Sequence, residues 1–122
     1  MSESQISGNA GEVIVAGMLG YEGWQIVESQ IETFGHAVDF LAKDPAGDEV
    51  LVEVKVWARG GGKDTVKKAI ADAYDLREAG ETRPYVLVLS HELIGLYADM
   101  LRRAIIAGVI ARVRILGFKE FS

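Results

Sequence analysis

The chain has no cysteine among its 122 residues. Disulfide bonds and zinc sites with cysteine ligands are therefore excluded. The absence of disulfide bonds is common in proteins of the reducing cytoplasm. No stretch approaches the length of apolar sequence that a membrane span needs. The polar residues 1–9 contain neither the basic nor the apolar region of a secretory signal peptide. We therefore expect a cytoplasmic protein with no membrane segment.

Basic residues are scarce in the first half of the chain. Residues 1–54 contain ten acidic residues and a single basic one, Lys43, whereas residues 55–122 contain twelve basic and eight acidic residues. The net charge of −5 therefore hides a mildly basic second half, which leaves a nucleic-acid partner open. The length indicates a single domain over residues 1–122, and an apolar fraction of 49% is ordinary for a globular protein.

Hydrophobic periodicity predicts eight elements in the order αβββαβαβ. The predicted helices cover residues 10–19, 65–79 and 92–107, and the predicted strands cover residues 24–31, 36–43, 49–57, 85–89 and 109–116. Residues 85–89 are all apolar, which is typical of a strand that is buried on both faces beside a parallel neighbour. The order predicts an α/β fold, with a mixed sheet and helices on both of its faces.

The strand predicted over residues 49–57 has two faces of different character. Valines at positions 52, 54 and 56 point one way, and Glu53 and Lys55 point the other, because strand side chains alternate. A charged pair in so apolar a run is costly unless something uses it. Asp39 adds a second carboxylate in the middle of the preceding strand. The plain alternative is a solvated strand face with a cross-strand salt bridge.

Asp39 is followed by thirteen residues and then by Glu53-Val54-Lys55, and this pattern resembles the PD-(D/E)XK nuclease superfamily. In pattern it is most similar to the Holliday-junction-resolvase-like branch. The resemblance implies a restriction-endonuclease-like fold, which agrees with the predicted order of elements. It also implies a magnesium-dependent endonuclease that hydrolyses phosphodiester bonds in DNA, and the resolvase-like branch adds the expectation of structure selectivity. Mn²⁺ is expected to substitute for Mg²⁺.

The resemblance assigns a role to each residue of the pattern. Asp39, Glu53 and the backbone carbonyl of Val54 are expected to bind the metal, since Mg²⁺ prefers oxygen ligands. Lys55 is expected to orient or deprotonate the attacking water and to offset charge that develops on the phosphate. Two departures leave the branch open. Ala37-Val38-Asp39 replaces the usual Pro-Asp, and no arginine follows the lysine before Arg59.

Glu12 is a fourth candidate for the site. Residues 11–16 and 19–24 are similar to the opening helix of the resolvase-like branch, in which a glutamate is brought to the metal. The alternative is a helix cap, because Asn9 and Glu12 have the spacing of a capping box. Both interpretations stay open at this point.

Several basic residues are candidates for binding phosphates of a nucleic acid. Arg59 and Lys63 flank a run of three glycines, and Lys67 opens the following helix. Arg112 and Arg114 share one face of the last predicted strand. The alternative for these two arginines is a solvated edge strand. No catalytic histidine is assigned.

Two other functions share this pattern of residues. One is an RNase or tRNase toxin domain of the same superfamily, which an immunity protein would hold. The other is a relative that binds nucleic acid without cutting it. A homodimer is also expected, because the helix predicted over residues 92–107 is apolar around most of its circumference.

Overall fold

The computed structural model describes residues 3–55, 62–115 and 119–121. The helices are α1 (Glu3–Tyr21), α2 (Gly62–Ala79), α3 (His91–Leu96) and α4 (Ala98–Ile106). The strands are β1 (Gln25–Thr33), β2 (His36–Lys43), β3 (Glu49–Lys55), β4 (Tyr85–Leu89), β5 (Arg112–Ile115) and β6 (Lys119–Phe121). None of the helices in these ranges is both long and apolar enough to cross a membrane.

The six strands form one mixed sheet in the order in which they occur along the chain. β1, β2 and β3 make an antiparallel meander, and β5 and β6 are also antiparallel. β4 is parallel to both of its neighbours, β3 and β5, and all five of its residues are buried. The predicted buried strand with a parallel neighbour is therefore confirmed.

Two separate hydrophobic cores cover the two faces of the sheet. On one face, α1 contributes three buried residues that pack on valines of β3 and β4: Val15, Met18 and Leu19. On the other face, α2 and α4 pack on leucines of the same strands, through residues that include Val66, Ala69, Leu76 and Leu101. Successive residues of β3 and β4 join opposite cores, as strand alternation requires. The predicted mixed sheet with helices on both faces is confirmed.

The bounds of the elements differ from the predictions in four places. The first helix begins at Glu3 rather than residue 10, and the second at Gly62 rather than residue 65. β1 is shifted by one to two residues, and β5 covers only four residues of the predicted 109–116. β6 was not predicted. Short edge strands have few residues in which a period of two can be detected, which explains this omission.

The single helix predicted over residues 92–107 is two helices. The break lies at Tyr97, whose φ of −123° and ψ of 28° are outside the helical region. The apolar pattern continues across the break, because Leu93 of α3 and Leu101 of α4 are buried in the same core. Periodicity alone could not reveal this break, since both helices face the same side of the sheet.

Most of the apolar residues in this helical pair are covered by the protein itself, and two are not. Leu96 is 72% exposed and Ile106 is 84% exposed. Single exposed apolar side chains are normal on protein surfaces. The homodimer stays a prediction.

A buried carboxylate connects β1 to the loop between α2 and β4. The Thr33 hydroxyl donates a hydrogen bond of 2.6 Å to Glu81 Oε1. The backbone N–H, Nε and Nη2 of Arg83 donate three further bonds to the same carboxylate, at 3.0, 3.1 and 2.8 Å. Hydrogen bonding from Arg83 is the main reason that the pKa of Glu81 is lowered to about 2.

Replacing Glu81 with Gln is expected to lower the free energy of unfolding at pH 7 by about 1–3 kcal/mol, because the charge-assisted bonds are lost. The folded-state pKa lies below the ordinary value of 4.5, so this stabilisation is complete above about pH 4.5. It is lost as the pH falls towards 2. Urea denaturation of the wild type, Glu81→Gln and the exposed control Glu78→Gln at several pH values measures this. A Glu81→Gln deficit that stays constant with pH would contradict the assignment.

Candidate active site

The candidate site lies where β2 separates from β3. The paired residues of these strands end at Phe40 and Val52, although both strands continue further. Beyond that pair, side chains replace part of the backbone ladder. The Val54 N–H donates to Asp39 Oδ2 at 2.7 Å, and the Asp39 N–H donates to Glu53 Oε1 at 3.3 Å. Asp39 and Glu53 therefore bridge the two strands, as their positions in the sequence predicted.

Asp39 lies at a break in the alternation of β2. Phe40 and Ala42 belong to the core under α1, and Leu41 belongs to the core under α2. Regular alternation would place Val38 with Phe40, but Val38 packs in the core under α2. The alternation of β2 therefore breaks at Asp39, whose carboxylate accepts the Val54 N–H and lies close to Glu12 of α1 and Glu53 of β3.

Glu53 and Lys55 lie on the face of β3 opposite the valines, as predicted. Val52 and Val54 pack in the core under α1, so alternation directs Glu53 and Lys55 to the α2 face. Glu53 is only 6% exposed, and Lys55 is half-buried at the last residue of the strand. A solvated strand face, the plain alternative for this pair, is wrong for Glu53.

Glu12 joins the site from α1. Its Oε1 accepts a hydrogen bond of 2.7 Å from Gln30 Nε2 of β1. Asp39 also acts to raise the pKa of Glu12, so the two carboxyl groups lie close together. The capping-box interpretation of Glu12 is wrong, because α1 begins at Glu3 and Glu12 therefore lies in the third turn of the helix. The side chain of Glu12 is instead part of the carboxylate cluster.

The pKa values of three carboxyl groups, those of Glu12, Asp39 and Glu53, depend on one another. Burial, reinforced by Asp39, raises the pKa of Glu53 to about 9 and that of Glu12 to about 6. Burial also acts to raise the pKa of Asp39, but hydrogen bonds from Glu53, Glu12 and the Val54 N–H outweigh it and lower that pKa. Asp39 is thus the carboxylate that carries the charge, and its two neighbours retain protons more readily.

The Lys55 ammonium lowers the pKa of each of these three acids, so it lies close enough to interact with the whole cluster. If all three acids were ionised, this one cation would leave an excess of negative charge. A phosphodiester, itself an anion, would be repelled by that excess. The cluster therefore needs further positive charge before it can act on a phosphate.

The donor atoms of the cluster suit a magnesium ion chemically. Every side-chain donor is a carboxylate oxygen, the ligand type that Mg²⁺ prefers. In the described ranges, no group of three or more acidic or histidine side chains is arranged to hold a metal ion. Burial and the neighbouring Asp39 instead favour the protonated form of Glu53. A bound ion would have to replace that proton.

Arg114 does not lie where a phosphate could reach it. Its side chain is 7% exposed, and Nη2 donates to both carboxylate oxygens of Glu22, at 2.6 and 2.8 Å. Its Nε is buried without a hydrogen-bond partner. A buried guanidinium that loses its carboxylate would be left as an unpaired charge. The prediction that Arg114 binds phosphate is therefore replaced by a structural role.

Arg112 shares the face of β5 with Arg114, as predicted, but it is exposed. Its guanidinium lies 6.0 Å from the centroid of the Trp24 ring, at the limit of a cation–π contact. For Arg112, phosphate binding stays a prediction. The two arginines differ because Glu22, which directly follows α1, pairs with Arg114.

The remaining basic candidates lie near the start of α2. Lys67 is exposed on that helix, and Lys63 belongs to its first turn. Arg59 lies outside the described residues. Lys68 pairs with Asp72 at 3.2 Å, four residues further along the helix. Phosphate binding by Arg59, Lys63 and Lys67 stays a prediction.

Two residues near the carboxylates were missed by sequence reasoning. Gln30 contacts Glu12. Burial raises the pKa of Tyr85, and the nearby charges of Glu53, Asp72 and Asp39 raise it further. The hairpin offered a signal for Gln30. Thr33 pairs with His36 around a two-residue turn, and counting back along this register places Gln30 opposite Asp39. No comparable signal exists for Tyr85, because its position follows from the parallel pairing of β3 and β4.

A pocket of about 440 Å³ lies away from these carboxylates. Its lining includes Leu51, Tyr85 and Pro84, so it opens at the amino-terminal ends of β3 and β4. Lys55 ends β3 at the opposite, carboxyl end. Ligands of open α/β sheets usually bind at the carboxyl ends of the strands, which favours the carboxylate cluster as the functional site.

The fold is shared with two solved structures. One is described as an FdxN element excision controlling factor protein from Anabaena variabilis, with 17% sequence identity and a TM-score of 0.70, over 93% of this chain and 99% of that chain. The other is described as an XisH family protein from Nostoc punctiforme, with 19% identity and a TM-score of 0.66, over 92% of this chain and 98% of that chain. The fold is restriction-endonuclease-like.

At these identities the similarity concerns the restriction-endonuclease-like fold alone. No protein-family model matches the sequence, and no curated protein matches it. The predicted α/β fold, with a mixed sheet and helices on both of its faces, is thus confirmed. The chemistry of the site has to be argued from the residues of this chain.

The pairing of Glu22 with Arg114 gives a test of the structural role. Glu22→Ala is expected to lower the free energy of unfolding by roughly 2–4 kcal/mol, because it leaves a buried guanidinium unpaired. Adding Arg114→Met should recover much of the loss, since an apolar side chain replaces the uncompensated charge. Urea denaturation of the single and double variants measures both effects. A double variant no more stable than Glu22→Ala would argue against the pairing.

Proposed function

We propose that this protein is a metal-dependent endonuclease that hydrolyses phosphodiester bonds in DNA. One observation carries the proposal: three carboxyl groups and one lysine lie close enough for their charges to interact where β2 separates from β3, on a restriction-endonuclease-like fold. The Asp39 N–H donates to Glu53 Oε1 across the gap, and Lys55 ends the same strand as Glu53.

Asp39, Glu53, Glu12 and the Val54 carbonyl would hold Mg²⁺, or Mn²⁺ in its place. A metal bound there would polarise the phosphoryl oxygen and lower the pKa of a bound water molecule. The chemistry of the cluster supports this assignment, because a cation would displace the protons that Glu53 and Glu12 retain and would permit a phosphate to approach.

Lys55 would act on the water and the phosphate. Hydrolysis forms a bond between the water oxygen and phosphorus, breaks one phosphorus–oxygen ester bond, and delivers a water proton overall to the departing alkoxide. The Lys55 ammonium can donate hydrogen bonds to the water or to a phosphate oxygen, which orients the nucleophile and offsets developing charge. Its half-buried position beside β4 limits the orientations that the side chain can adopt.

DNA is favoured over RNA by one comparison. A structure with the same fold is described as controlling the excision of an element, and excision of a genetic element requires DNA strands to be cut. The same residues would also hydrolyse RNA, so the two substrates are separated by the experiment. We also propose that the protein acts in the cytoplasm and as a homodimer, whose paired sites would suit branched DNA.

The central test compares Glu53→Gln and Lys55→Met with the wild type. Gln keeps the shape of the buried Glu53, and Met keeps the apolar stem of Lys55, so both variants should remain folded by circular dichroism. Cleavage is measured on plasmid, branched DNA and total RNA, with and without Mg²⁺. We expect Mg²⁺-dependent cleavage of DNA by the wild type. Lys55→Met should be slower by roughly 10²–10⁴-fold if the lysine assists proton transfer.

Metal binding separates the roles of the two residues. Calorimetry should show weaker Mg²⁺ binding by Glu53→Gln, because a ligand is lost, and nearly unchanged binding by Lys55→Met. The exposed variants Glu28→Gln and Lys43→Met match the same chemical changes away from the site and should cut at the wild-type rate. Cleavage of RNA alone would favour the RNase, and nucleic-acid binding without cleavage would favour the non-catalytic relative. Wild-type cutting by either site variant would end the case for this site.

A further inference from the structure

Gln30 contacts the carboxylate cluster from the strand that carries none of its acids. Its Nε2 donates a hydrogen bond of 2.7 Å to Glu12 Oε1, across eighteen positions of sequence. Gln30 lies on β1, whereas the three acids lie on α1, β2 and β3. The contact therefore connects the edge strand of the meander to the helix on the α1 face.

The backbone at Gln30 is unfavourable for a glutamine. Its φ of +53° lies in the left-handed region, which glycine and asparagine adopt more readily. The neighbouring pairs Ser29–Phe40 and Ile31–Val38 are formed, but the intervening pair of Gln30 with Asp39 is not. The left-handed residue thus lies directly opposite Asp39, where the alternation of β2 breaks.

The contact made by the glutamine side chain explains why position 30 carries a residue that is unsuited to this backbone conformation. Glycine would remove the strain but has no amide. Asparagine tolerates the conformation better, but its side chain is one methylene shorter, which would lengthen the 2.7 Å contact beyond a normal hydrogen bond. Of these three residues, only glutamine has a side-chain amide long enough to reach Glu12 from this left-handed position.

We propose that Gln30 is a positioning residue, whose amide holds the Glu12 carboxylate against Asp39 so that both face the metal that the cluster would bind. This inference rests on the proposed function, because it assigns a partner to one of the proposed ligands. Groups that orient metal ligands through a hydrogen bond commonly affect metal affinity, by about 10–100-fold when removed. Without the amide, Glu12 could rotate away from Asp39 towards solvent.

The test removes the donor and the strain separately. Gln30→Met keeps the length of the side chain and the unfavourable backbone but has no donor, whereas Gln30→Gly lacks the donor and also relieves the backbone. Both should bind Mg²⁺ about 10-fold more weakly than the wild type by calorimetry. The melting temperature of Gln30→Gly should exceed that of Gln30→Met. Gln25→Ala, an exposed glutamine at the start of the same strand, is the control and should bind Mg²⁺ normally.

A double-mutant cycle identifies Glu12 as the group through which Gln30 acts. In a Glu12→Gln background, Gln30→Met should cause no further loss of Mg²⁺ affinity, because the carboxylate that it orients is already absent. A purely structural Gln30 would change the melting temperature and leave Mg²⁺ affinity unchanged, which would overturn the inference. Equal losses in both backgrounds would overturn it as well.

The outcome for the wild type distinguishes this inference from the proposed function. A wild-type protein that neither binds Mg²⁺ nor cuts nucleic acid would overturn the proposed function, and this inference with it. A wild type that binds Mg²⁺ and cuts DNA, with a Gln30→Met variant that does both equally well, would overturn the role of Gln30 alone.

Discussion

The separation of β2 from β3 beyond Phe40 and Val52 is the constraint on which the site depends. If the ladder continued, the Val54 N–H would bond to a backbone carbonyl. The Asp39 carboxylate takes that place at 2.7 Å, and Glu53 accepts the N–H of Asp39 in return. Backbone polar groups near the sheet centre need partners, so the two acids satisfy the opened ladder as well as forming the cluster. The same two carboxylates and two backbone N–H groups therefore both stabilise the sheet and set the geometry of the site.

The rest of the fold holds this gap open in one geometry. β3 is fixed between two cores, with Val52 fully buried beneath α1 and Leu51 fully buried beneath α2. β4 supports it through a parallel ladder along its whole length. The close-packed cores fix β3 and β4, so they hold the carboxyl groups together and offset the cost of their charge repulsion. Burial also favours the protonated form of Glu53, which reduces that repulsion.

Charge has two separate uses in this chain. The cluster of three acids beside Lys55 concentrates negative charge at one position, where a cation and a phosphate can act. Two other charged groups instead hydrogen-bond internally: the pair of Glu22 with Arg114, and the group of Glu81 with Arg83 and Thr33. Both groups connect elements that are distant in sequence. Strongly hydrogen-bonded charges of this kind favour one packing arrangement, and they leave few atoms for a ligand.

The sequence by itself determined the local features of this protein. The alternation in 49–55 placed Glu53 and Lys55 on one face, and the two-residue turn after Thr33 aligned β1 with β2. Tyr85–Leu89 and the end of α2 at Ala79 were also predictable, since each depends on a run of neighbouring residues. The tertiary structure alone decided which partners those residues meet. Glu12 lies in the third turn of α1 and meets Gln30 of β1, and Arg114 is buried where it meets Glu22, 92 positions away. The left-handed residue Gln30 lies opposite Asp39, where the alternation of β2 breaks. Such contacts join residues far apart in the chain, and a local pattern carries no record of them.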